Sequence, residues 1–166
     1  MSWIKKIPLI SLIVFAFSVS MLDCALAGEK IKMHASSFIT EWQQMEVGDT
    51  EGHVMAVFKA KKIYINEINN EKHTSSDVSI MDINLKTGQG NLQGYGVNEY
   101  MNGDITINKF EGKSVGKVHW QGTWSFVRGT GKYEGVKGGG TWDSYSMGPG
   151  KPSYMEIEGE MEFSSE

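Results

Sequence analysis

Residues 153–163, SYMEIEGEMEF, alternate with period two from end to end. Met155, Ile157, Met161 and Phe163 fall on one face, and Glu156, Glu158, Glu160 and Glu162 on the other. That is the signature of a strand with one packed and one wet face. The even spacing reads the glutamates as a solvated face rather than as a calcium site, whose oxygen ligands must converge on one point.

The same period runs backwards through the chain. KVHWQGTWSF (117–126) sets Val118, Trp120, Trp124 and Phe126 against His119, Gln121, Thr123 and Ser125. SIMDINL (79–85) sets Met81, Ile83 and Leu85 against Asp82 and Asn84, and DITINKF (104–110) sets Ile105 and Ile107 against Thr106 and Asn108. Further strands are expected over 30–46, 53–66, 91–101 and 138–146. EVGDTEG, NNEKHTSS, KTGQG, MNGD, EGKS, RGTG and GPGKP read as turns. No segment sustains helical spacing. About eight strands with short connections and no covering helix predict an all-β fold, an eight-stranded antiparallel up-and-down β-barrel whose closure removes every edge. A β-sandwich is the alternative, since strand count alone does not separate the two.

The first residues predict a compartment. Lys5 and Lys6 precede the apolar run IPLISLIVFAFSVSML (7–22), and Ala25-Leu26-Ala27 follows. A basic n-region, an apolar h-region and a small-residue cleavage site describe a secretory signal peptide over residues 1–27, cut before Gly28. The run of 16 positions falls short of the ~20 that a membrane span needs. Cleavage leaves a single domain, 28–166, exported to a periplasm or to the extracellular space, with no membrane insertion expected afterwards. It also removes Cys24, the one cysteine, and with it thiol nucleophiles, disulfides and Cys-based zinc sites. The remaining 14 basic (16 − 2) and 19 acidic (20 − 1) residues give a charge near −5, which argues against a nucleic-acid partner. Oligomeric state is not legible.

Glycine crowds one region: residues 112–150 hold 11 of the chain's 20. Within strands, glycine marks bends and close backbone approach, as barrel corners require. Gly122 and Gly159 interrupt the Trp120/Trp124 and Met155/Ile157 faces, which either leaves room for a ligand or serves only to coil the strands. Phosphate cradling by a glycine-rich loop would need a strand-loop-helix context that this pattern lacks. The segment FVRGTGKYEGVKGGGTW (126–142) resembles the Gly-Gly-Thr-Gly-Lys-Phe-type segment of the dirigent and allene oxide cyclase barrel-like superfamily. Arg128 stands where those proteins commonly carry the first glycine. The resemblance implies an eight-stranded barrel with an apolar lumen, in a superfamily whose members steer cyclisation or coupling of small reactive molecules without a cofactor. None of its catalytic residues matches a position here, so the fold is carried over and the activity is not.

Candidate chemistry is sparse. His34, His53, His73 and His119 share no metal-seating spacing, and no HExxH motif occurs, so no metal site is expected. Glu51 and His53 in GDTEGH form a conceivable acid–base pair, although ordinary turn chemistry accounts for the same letters. Arg128, the only arginine, is expected near a barrel rim, holding a ligand carboxylate or pinning the rim to a neighbour such as Glu134. The leading expectation is therefore an exported barrel that binds a small apolar or aromatic molecule without a cofactor. Trp120, Trp124, Phe126, Met155, Ile157 and Met161 would line the lumen, with Arg128 at its rim. A cofactor-free isomerase or cyclase, or a filled barrel acting through its outer face, are the alternatives. With no acid or base clearly pointing inward, binding ranks above catalysis.

Overall fold

The structure is a computed structural model and describes residues 28–148 and 150–163; the predicted signal segment lies outside the described residues. Eight strands follow one another: β1 Glu29–Glu46, β2 His53–Asn66, β3 Lys72–Asn84, β4 Gly90–Tyr100, β5 Ile105–Gly116, β6 His119–Gly129, β7 Val136–Ser146 and β8 Ser153–Phe163. A single 3-10 turn, Gly131–Tyr133, joins β6 to β7. Each strand pairs antiparallel with the next, and β8 closes on β1. The fold is the closed up-and-down barrel, not a sandwich.

Closure fixes a stagger. Trp42 pairs with Phe58, Phe58 with Ser79, Ser79 with Gly94, and Gly94 with Phe110. The row continues through Trp124, Gly140 and Gly159, and returns to β1 at Ile31 instead of Trp42. The offset of eleven residues (42 − 31) includes one bulge residue between Ile39 and Glu41. A shear near ten for eight strands tilts them steeply and widens the interior enough to hold a ligand.

Four glycines on that interior answer the glycine question. A Cβ on Gly122 would lie 2.5 Å from the Trp142 indole, and one on Gly112 would meet the same ring closer still. A Cβ on Gly159 would lie 2.8 Å from the Trp124 indole, and one on Gly94 2.8 Å from the Phe110 ring. Aromatic rings, not a ligand, therefore occupy the volume these glycines vacate. Both indoles also tie off their polar ends: Trp142 Nε1–H donates to the Thr123 carbonyl (3.1 Å) and Trp124 Nε1–H to the Glu158 carbonyl (3.3 Å). Each ring is thus laid flat across bare backbone and pinned there.

Three expectations are corrected. NNEKHTSS is not all turn, since β3 begins at Lys72, and EGKS lies within β5. Both stretches are polar on each face, so they carry no alternation to read. The phase of β5 is also inverted: Thr106 is fully buried and Asn108 faces the lumen, while Ile105 and Ile107 lie on the opposite face. Strands β2, β3 and β4 mix polar and apolar residues on both faces, although the expected inward phase of Met81 holds. Val57, Ile63, Val78, Ile80, Tyr95 and Val97 are exposed, whereas Lys62, Ser75, Asp77, Ser79 and Asn98 are buried.

Gly122→Ala drives a Cβ into the Glu111 carbonyl of β5 and into the Trp142 ring, and is expected to cost about 1–3 kcal/mol, the usual range for overpacking. Urea denaturation of the variant measures this. An unchanged midpoint would show that the indole does not depend on bare backbone there.

Candidate functional site: the barrel lumen

The barrel encloses a cavity of about 230 Å³. Its two halves differ in chemistry because they come from different strands. Trp120, Trp124 and Phe126 of β6, Trp142 of β7, and Met155, Ile157 and Met161 of β8 form an apolar, aromatic wall. Facing them, β2–β5 present Lys62, Tyr64, His73, Asp77, Asn98 and Asn108. Large rings dominate one wall; the other mixes these polar groups with Phe58, Ala60, Met81, Leu92 and Phe110.

An ion pair anchors the polar wall. Lys62 Nζ lies 2.5 Å from Asp77 Oδ2, with side chains only 9% and 3% exposed. Ser75 donates to the other side of the same carboxylate at 2.6 Å. The Lys62 ammonium sits 4.9 Å from the Phe110 ring centroid, a cation–π contact. Burial pulls the ammonium down, but the adjacent Asp77 carboxylate outweighs it and holds it above the ordinary lysine value, so it remains charged. Burial pushes the Tyr64 phenol up to about 12, so it remains a neutral donor. Nearby, Asn98 Nδ2 donates to Thr106 Oγ1 (2.9 Å) and to Asn108 Oδ1 (3.3 Å).

At one end of this wall the rings stack. His73 lies between Tyr64 and Tyr100, 4.6 Å from each centroid, and Tyr100 continues onto Tyr133 at 4.2 Å. Tyr133 O–H donates to Glu71 (2.9 Å), whose other oxygen accepts from Lys132 (2.6 Å). Burial pushes the Tyr133 and Tyr100 phenols up. Burial also lowers His73 to about 4, with Glu71 opposing only weakly, so its imidazole is neutral. Its Nδ1 is buried with no hydrogen-bond partner, as is Ser79 Oγ farther along β3. An unmet buried polar group is costly, and both of these groups lie on the cavity wall.

Six of the expected lining residues, Trp120, Trp124, Phe126, Met155, Ile157 and Met161, meet around this cavity. Arg128 does not join them. A bulge between its pairing with Ile107 and that of Phe126 with Asn108 inserts Val127. Strict alternation would turn Arg128 inward with Trp124 and Phe126; the extra residue re-phases the strand and leaves Val127 and Arg128 both exposed. It makes no ion pair among the described residues. The polar wall was missed because β2 mixes residue types on both faces, with Phe58 and Tyr64 inward and Ile63 and Ile65 outward.

The remaining histidines serve the outside. His34 pairs with Glu67 and Tyr154, and His119 with Asp143 at 2.8 Å. The Glu51–His53 pair does not form: Glu51 pairs with Lys86, and His53 reaches Asp49 (2.6 Å) and Asp82 (2.7 Å). Hydrogen bonds to Asp82 and then Asp49 raise His53 above the ordinary value. Among the described residues no His, Cys, Asp and Glu group is arranged to hold a metal ion. No protein-family model matches the sequence, and no curated protein matches it either.

His73 sets a pH dependence with a definite sign. Above about pH 6.5 it is neutral both folded and unfolded, and it costs nothing. As pH falls from about 6.5 to about 4, the unfolded chain gains a proton that the folded chain refuses, and up to about 3 kcal/mol of stability is lost. His53 has the opposite slope in another window, since its contribution fades as pH rises through its raised value. Urea midpoints measured across this range should fall on acidification in the wild type, and fall less in His73→Phe. Equal slopes would remove His73 from the buried neutral state.

Proposed function

We propose that this protein is an exported β-barrel that holds a small, mainly apolar or aromatic molecule in its lumen. The observation carrying the reading is the cavity of about 230 Å³ between a tryptophan wall and a hydrogen-bonding wall. A filled barrel would leave no such space. Burial of the ligand's flat surface against Trp120, Trp124 and Trp142 drives binding, and the few polar groups opposite fix its orientation. Export rests on the leader pattern of residues 1–27.

A second reading gains from the polar wall. A cofactor-free isomerase or cyclase, of the kind the dirigent and allene oxide cyclase resemblance implies, needs ionisable groups inside the lumen. Lys62, Asp77 and His73 supply them. Such an enzyme would act by holding one reactive conformer in a water-poor space, with Lys62 donating to developing negative charge.

The test uses protein purified from the exported fraction and N-phenyl-1-naphthylamine, an apolar dye that fluoresces when removed from water. Saturable binding at one site is expected, weakened at least about tenfold (about 1.4 kcal/mol) in Ala60→Phe, which fills the lumen beside Asp77. Circular dichroism checks that the barrel persists. Dye binding that is absent, or indifferent to this substitution in a folded variant, would overturn the lumen reading.

A further inference from the structure

The charges of the lumen are already balanced. Lys62 is matched by Asp77, and Glu71, the one other carboxylate on the cavity wall, is matched by Lys132. The Lys62 ammonium is enclosed as well as paired, with Asp77 on one side and the face of Phe110 on another. A further charge brought into this space would find no free counter-ion. Burying an uncompensated ion costs several kcal/mol, more than a few hydrogen bonds return.

The groups that do lack partners are neutral. Ser79 Oγ and His73 Nδ1 are both buried, unpaired and on the cavity wall. They lie six positions apart on the same face of β3, which at ~3.3 Å per residue separates them by roughly 20 Å along the strand. Their hydrogen-bonding capacity suits hydroxyl, carbonyl or amide groups. Across the lumen, the Trp124 and Trp142 N–H groups are spent on backbone carbonyls, so these two indoles offer the cavity only their ring faces.

Resting on the lumen reading, we infer that the site selects an uncharged molecule, one with a flat apolar face and a neutral oxygen or amide group that meets one of these two partners, and rejects carboxylate or ammonium analogues of the same shape. Asp77 is then a specificity determinant: it cancels Lys62 and so keeps anions out.

Displacement of bound N-phenyl-1-naphthylamine by three probes of matched shape tests this: 2-acetylnaphthalene, 2-naphthoate and the ammonium form of 2-(aminomethyl)naphthalene. The ketone is expected to compete at least about tenfold better than either ion. Asp77→Asn removes the cancelling charge, and the ratio of naphthoate to ketone affinity should rise at least about tenfold. If that variant does not fold, the wild-type ranking decides alone. Dye that binds in the lumen, with a ketone that competes no better than naphthoate or the amine, overturns the inference and leaves the lumen reading standing. Failure of the dye itself to bind removes both.

Discussion

A lysine and an aspartate held 2.5 Å apart inside a barrel set the terms for everything around them. Neither charge survives burial alone, and breaking such a pair typically costs about 3–5 kcal/mol because the remaining ion is stranded. Their strands must therefore keep the register that joins them, with Ala60 opposite Asp77 and Lys62 opposite Ser75. Their surroundings must be polar as well, and Ser75, Tyr64, Asn98 and Asn108 supply that. Half of the lumen is committed to hydrogen bonding by this requirement. Those strands still bury Ala56, Phe58, Ala60 and Met81, while Val57, Val78, Ile80 and Tyr95 stand exposed on the outer wall.

The other half of the barrel obeys a packing constraint instead. A shear near ten opens an interior wider than side chains from β6–β8 fill evenly, so Trp124 and Trp142 are laid across the bare backbone of Gly159, Gly122 and Gly112. Gly112, Gly122 and Gly159 face these rings, whereas Gly138, Gly139 and Gly140 beside them let neighbouring backbones approach closely. The lumen that remains is bounded by ring faces on one side and donors and acceptors on the other. A site with that asymmetry orients whatever enters it. The same asymmetry makes the barrel suited either to carriage or to steering a reaction.

The sequence disclosed the half of the fold in which hydrophobicity alternates in the ordinary sense. In β8, Met155, Ile157 and Met161 face in and four glutamates face out, and both its limits and its phase were legible. The aromatic lining from β6 followed from the same rule. Strands β2–β5 blur it, since each mixes polar and apolar residues on both faces, so period two gave the strands but inverted β5. Arg128 was displaced by one inserted residue, Val127, which no periodicity reveals. His73 and Lys62 carried no local signal at all. Their importance arises from partners on other strands, Tyr64 on β2 and Tyr100 on β4 for His73, and Asp77 on β3 and Phe110 on β5 for Lys62.

The central claim, that the lumen holds a small molecule, is tested most directly by native mass spectrometry of protein taken from its own exported fraction, beside a denatured sample. The expected result is an added mass present in the native spectrum, lost on denaturation, and absent from a folded Trp124→Ala variant. Identical masses in the native and denatured spectra would contradict it, and would shift attention to the exposed apolar wall of β2–β4.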